Sequence, residues 1–276
     1  MRFVKNRILW ISVYALAVTC VFLYVLFPSE FVLRWIESQA NAAGLTLTAD
    51  SLDPSLPLGV KLQNVAVRAA GAASGPALVR GDLLDVQINP LDLFQKVRTV
   101  RFQGSACGGS FEGSAGIPAE ASSAGLSEGN AAFQSIDLAR LGANGLPFFR
   151  GMSGQAKGTV FYVQQDAATG GAVGKLSVYL SRGAYALPEP FLGVPRIDFD
   201  RGEIQAQLKD AAVLLTKFEI YGGQVNCFLT GSIRLADRVE ESLLNLKGSM
   251  ELAGGRKIKM NVTVGGTLAR PSFRYL

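Results

Sequence analysis

The stretch LLNLKGSMELAGGRKIKMNVTV, residues 243–264, decides how this chain folds. In it Leu244, Leu246, Met250 and Leu252 alternate with Asn245, Lys247 and Glu251, and Ile258, Met260, Val262 and Val264 alternate with Lys259, Asn261 and Thr263. A period of two is that of a β-strand with one apolar and one wet face. The same alternation recurs at Leu84/Val86/Ile88, Leu176/Val178/Leu180 and Ile204/Ala206/Leu208. Weaker strand signals cover Leu45 to Ala49, Val60 to Val67, Val97 to Phe102, Gly158 to Val163 and Val213 to Tyr221. The Gly-, Ala- and Ser-rich stretch from Gly104 to Gly129 reads as a turn and loop, as does Ala69 to Gly75. A short helical turn fits Ile136 to Leu141. The expected fold is therefore mainly β, one long antiparallel sheet. With few helices to cover its apolar face, that sheet must curl on itself, pack as a sandwich or leave a greasy trough. The residues expected to line an apolar groove are Leu176, Val178, Leu180, Ile204, Leu208, Leu244, Leu246, Met250, Ile258, Met260 and Val262.

Composition narrows the chemistry. The 276 residues are 49% hydrophobic and 18% charged, enough for one large β domain. The net charge of +5 is spread thinly apart from Arg2, Lys5 and Arg7, with no basic run interleaved with aromatics, so no nucleic-acid partner is expected. Histidine is absent, which removes the commonest general base, the Ser/Cys-His nucleophile systems and most transition-metal sites. No P-loop, GxSxG or EF-hand loop occurs, and no catalytic residue, metal or cofactor is expected. Asp198 and Asp200 would share a strand face and read as a solvated strand end, as do Asp82 and Asp85.

The N-terminus is of another kind. Ile8 to Phe27 carries no charge for 20 residues, and a helix of that length spans about 30 Å of hydrocarbon. Arg2, Lys5 and Arg7 before it predict a cytoplasmic N-terminus. A cleaved signal peptide is the rival, but the Ala40-Asn41-Ala42 site lies far beyond an apolar stretch already too long for one. After Pro28, the segment SEFVLRWIESQANAAG places Phe31, Val32, Trp35, Ile36, Ala40 and Ala43 at helical spacing, with Ser29 as N-cap and Gly44 as stop. The expected organisation is a cytoplasmic N-terminus (1–7), a transmembrane helix (8–27), an amphipathic juxtamembrane helix (28–44) and a β-rich domain (45–276).

An ungapped comparison offset by about 118 positions sets VRFQGSACGGSFEGSA, from Val100, over FEIYGGQVNCFLTGSI, from Phe218; both read as a strand, a glycine turn and a returning strand. The runs KFEIYGGQVNCFLTGSIRL (217–235), IDLARLGANGLPFFRGMSGQAKGTVFY (136–162) and VTVGGTLARPSF (262–273) resemble the AsmA-like superfamily of envelope proteins. Within it the chain is most similar to the type II secretion system protein N family, through the basic N-terminus and apolar run, Pro28, PSLPLGVKLQNVAV (54–67) and INPLDLF (88–94). The resemblance implies a non-enzymatic, single-pass inner-membrane component of a type II protein secretion system, its β domain in the periplasm. Its partners would be the membrane lipid bilayer and other type II secretion subunits. A lipid-binding or lipid-transfer role, with phospholipid in an apolar β groove, is the alternative that the superfamily suggests. In an oxidising periplasm Cys107 and Cys227 are the one pair outside the apolar run that could form a disulfide, weighed against two half-buried small residues.

Overall fold

Antiparallel pairing runs without interruption through the computed structural model, which describes Tyr14 and residues 27–42, 45–56, 58–69, 79–118, 127–143, 149–166, 171–191, 194–209, 212–236, 238, 241–252 and 258–275. Helix α1 (Ser29–Ala42) precedes strands β1 (Leu45–Thr48), β2 (Ser51–Ser55), β3 (Gly59–Ala69) and β4 (Val79–Ile88). A 3-10 turn (Pro90–Phe94) leads to β5 (Val97–Ala106), β6 (Gly109–Pro118) and β7 (Glu128–Asp137), and helix α2 (Leu138–Ala143) to β8 (Met152–Asp166). The chain continues through β9 (Gly171–Phe191), β10 (Val194–Lys209), β11 (Ala212–Tyr221), β12 (Val225–Arg234), β13 (Leu243–Leu252), β14 (Ile258–Gly266) and β15 (Pro271–Tyr275).

From β3 onward each strand pairs with the next, so the 15 strands make one up-and-down sheet. It is open. β1 and β2 pair with opposite halves of the same edge of β3 and form one broken edge strand, while β15 pairs with β14 alone. The break falls at Ala49 and Asp50, where the Asp50 carboxylate accepts a 2.8 Å bond from the Asn64 side chain.

Two helices lie against the apolar face. Val32, Leu33 and Ile36 of α1 pack with Leu52, Leu62 and Val65 of the first strands. Leu138, at 2% exposure, anchors α2 against Ala156, Leu180, Phe199 and Ile220. The helix expected after Pro28 is thus present, with two changes. Ser29 is its first helical residue, and the face it buries carries Leu33, whereas Phe31 stands 72% exposed.

Other expectations are corrected. Within the stretch Gly104 to Gly129 expected as a turn and loop, residues 104–118 are a tight hairpin, β5 turning into β6 at Cys107–Gly108, with glycines seating phenylalanines across the ladder, Gly113 opposite Phe102 and Gly104 opposite Phe111, while residues 119–126 lie outside the described residues. The weaker strand expectations at residues 97–102, 158–163 and 213–221 hold, each lying within a longer strand. The offset repeat fails: Phe102 pairs with Gly113, but its counterpart Ile220 pairs with Cys227, since the second hairpin is centred two residues earlier. Asp85, expected on a wet strand end, is only 4% exposed. Among the described residues no helix is long and apolar enough to cross a membrane; the run Ile8 to Phe27 lies outside them except for Tyr14 and Phe27.

An uncharged sheet face as the candidate functional site

Paired residues in an antiparallel ladder point to the same side of a sheet, so the register assigns a face to every strand position. Starting from Leu244, partners run through Ile233 and Val213 to Leu208, then Gly174, Tyr162, Gly129, Ala115, Val100 and Ile88. A second row starts at Val264 and passes Leu246, Gly231, Leu215, Ala206, Leu176, Val160, Ala131, Gly113, Phe102, Val86 and Val60. Neither row contains a charged residue. The neighbouring rows on the other side hold Lys61, Asp85, Gln103 and Glu112 at one end of the sheet, and Glu203, Lys217, Thr230, Lys247 and Lys259 at the other. All eleven residues expected from sequence to line a groove fall on the uncharged face: Leu176, Val178, Leu180, Ile204, Leu208, Leu244, Leu246, Met250, Ile258, Met260 and Val262.

Bulges hold this segregation where simple alternation would break it. Leu62 and Val65, three apart, are both buried although the β3–β4 register does not shift between them; Asn64, at φ +51°, turns the backbone there. Phe133 and Ile136 are kept on one face by a shift at Ser135, φ +56°, and Leu215 and Phe218 by a shift across Thr216 and Lys217. Sequence reading misses these positions because the period slips from two to three at each bulge.

Burial along the face is uneven. From β9 to β14 the apolar residues form one cluster in which Val225, Val262 and Val264 are almost fully covered, and α1 closes the face over the first strands. Between these regions, Val86, Val100, Phe111, Ala131 and Val160 are only partly covered. Phenylalanines there lie across glycines: Phe102 pairs with Gly113, Phe111 with Gly104 and Phe133 with Gly158. A β-carbon at Gly113 would stand 2.6 Å from the tip of the Phe102 ring, so the ring needs a residue without a side chain beneath it.

The polar face carries its own order. Lys217 Nζ stands 2.7 Å from Glu203 and 3.3 Å from Glu219, and the Tyr221 hydroxyl donates to Glu219 at 2.9 Å. The Lys217 contact holds the Glu203 carboxyl below the usual carboxylate range, and the same bond holds Lys217 above the usual lysine range. A concavity of about 670 Å³ on this side is lined by Asp85, Gln103, Glu112, Asn130 and Phe161. Within it the buried Asp85 carboxylate accepts bonds from the amides of Gln87 (3.3 Å) and Gln103 (3.5 Å).

Asp198 is engaged by Arg196 at 2.6 Å, and no group of His, Cys, Asp and Glu suited to a metal occurs among the described residues. Cys107 sits in the β5–β6 turn and Cys227 within β12, and no disulfide joins them, because five strands, β7 to β11, lie between. Burial pushes the Cys227 thiol up to about 11. Comparison with family models, with curated proteins and with solved structures finds no match to this chain.

Proposed function

We propose that this chain is a non-enzymatic, single-pass inner-membrane component of a type II protein secretion system, scaffolding or linking other subunits through its periplasmic β domain. The observation that supports a surface-presenting role is the architecture: one open sheet with two edges. An open edge offers backbone donors and acceptors to a strand of another subunit, and β15, with Ser272, Phe273 and Arg274 exposed, is such an edge. The secretion assignment itself rests on the sequence resemblance, as do the uncharged run of residues 8–27 as anchor and the N-terminus on the cytoplasmic side.

A second reading, binding or transfer of lipid in an AsmA-like manner, is favoured by one specific observation. Two rows of the ladder cross the sheet from β4 or β3 to β13 or β14 without a charge, and the stretch between the covered regions is partly exposed. Acyl chains need such a surface to pass through water.

The test is mild detergent extraction of the tagged protein from its native membrane, with mass spectrometry of the proteins and lipids that accompany it. Secretion subunits without stoichiometric phospholipid support the first reading. Stoichiometric phospholipid that is lost on placing lysine at Leu244, with no secretion subunit recovered, overturns it in favour of the second.

A further inference from the structure

We infer that the turns at one end of the N-terminal third of the sheet form a rim that sits in the membrane interface, so that the sheet stands on the bilayer instead of hanging free from its anchor. The inference rests on the anchor reading of residues 8–27 and adds a second, independent membrane contact.

In an up-and-down sheet alternate turns share an end. The β2–β3 turn, the β4–β5 turn and the end of β6 are at the same end: Ile88 donates its backbone N–H to Leu58 at 2.8 Å, and Val97 pairs with Pro118. Large apolar residues stand out into solvent there. Leu56 is 74% exposed and Leu91 is 73% exposed, and Leu58, Val97 and Ile117 beside them are exposed as well. Lys96 and Arg98 are exposed at this rim, as is Glu128 at the start of β7, and the Asp92 carboxylate of the turn accepts a 3.2 Å bond from the Gln95 amide. Exposed leucines at a rim of mixed charge, with Lys96 and Arg98 beside them, suit the boundary between acyl chains and headgroups.

Chain direction points the same way. Helix α1 ends beside Leu45, which pairs with Ala69 at the far end of β3, and it touches both β1 and β2. Its first residues therefore point toward the rim, and Phe31, 72% exposed, belongs to that first turn. Phe27, the last residue of the uncharged run, packs against the same N-terminal cluster. The described turns at the opposite end, Cys107–Gly108 and Gly222–Gln224, present no exposed large apolar residue. A requirement for solubility alone would give no such difference between the two ends.

The experiment places single tryptophans in the full chain, with Trp10 and Trp35 changed to phenylalanine. Leu91→Trp and Leu56→Trp report on the rim and Gly223→Trp on the opposite end. Each protein is reconstituted in phosphatidylethanolamine–phosphatidylglycerol vesicles, with or without brominated acyl chains. The expected result is at least a twofold loss of fluorescence in brominated vesicles for both rim tryptophans and none for Gly223→Trp. Protein that floats with vesicles after an alkaline wash but shows no quenching at either rim site overturns the rim and leaves the anchor standing. Protein that does not float overturns the anchor reading, and the rim inference with it.

Discussion

The ring of Phe133 lies across the β7–β8 ladder on its partner Gly158, its tip 2.8 Å from where a β-carbon on that glycine would stand. The backbone carbonyl of Ser177 crowds the same space from the far side. Gly158→Val therefore forces both the ring and the β9 backbone to move, at a cost of about 1–3 kcal/mol. Chemical denaturation should show this loss, while Gly223→Ala, where nothing lies within 4 Å, should stay within about 0.5 kcal/mol of the parent.

Val262 and Asn261 are neighbours on β14 that point to opposite faces, the first 2% exposed and the second open to water. Val262→Asp places a carboxylate in the apolar cluster of β9 to β14 with no cation on that side, and should cost about 3–5 kcal/mol or prevent folding. Asn261→Asp should change stability by no more than about 0.5 kcal/mol. Comparable losses from the two variants would mean that the faces are not segregated as the register states.

The Glu203–Lys217 bond makes stability depend on pH in a fixed direction. Glu203 is depressed, so its contribution is complete above the ordinary glutamate range and is lost as pH falls through its lower folded value. Lys217 is raised, so its contribution is complete below the ordinary lysine range and is lost as pH rises through its higher folded value. The stability difference between the parent and Lys217→Met should thus be flat across neutral pH and shrink at both extremes. Denaturation midpoints at acid, neutral and alkaline pH measure it; a difference that grows toward acid would contradict the pairing.

Cys227, raised to about 11 by burial in β12, has little thiolate at pH 8. Peptide-resolved alkylation should leave it largely unmodified in the folded protein at pH 8 and label it fully in denaturant. Fast labelling of the folded protein would show that the face around it opens.

Period-two alternation at residues 84–88, 176–180, 204–208 and 244–264 was enough to specify strands of one antiparallel sheet and the apolar side of each, because a strand's two faces are written directly in its odd and even positions, whereas the strand order is seen only in the fold. It was also enough for α1, whose helical spacing survives in Val32 and Ile36. What the sequence could not state is how strands of different phase combine. The bulges at Ser135 and Thr216–Lys217 and the positive φ of Asn64 each reset the phase, and only the folded sheet shows that Leu215 and Phe218 share a face and that Leu62 and Val65 are both buried. The loop reading failed over residues 104–118 because glycine signals a turn when read alone and a seat for a partner's ring when read in pairs, as at Gly104 and Phe111. Asp85 became buried for the same reason: its cover comes from Gln87 on its own strand and Gln103 on the next. Local periodicity is a property of one strand, whereas the uncharged face and the apolar rim belong to many strands at once, and only tertiary structure brings those together.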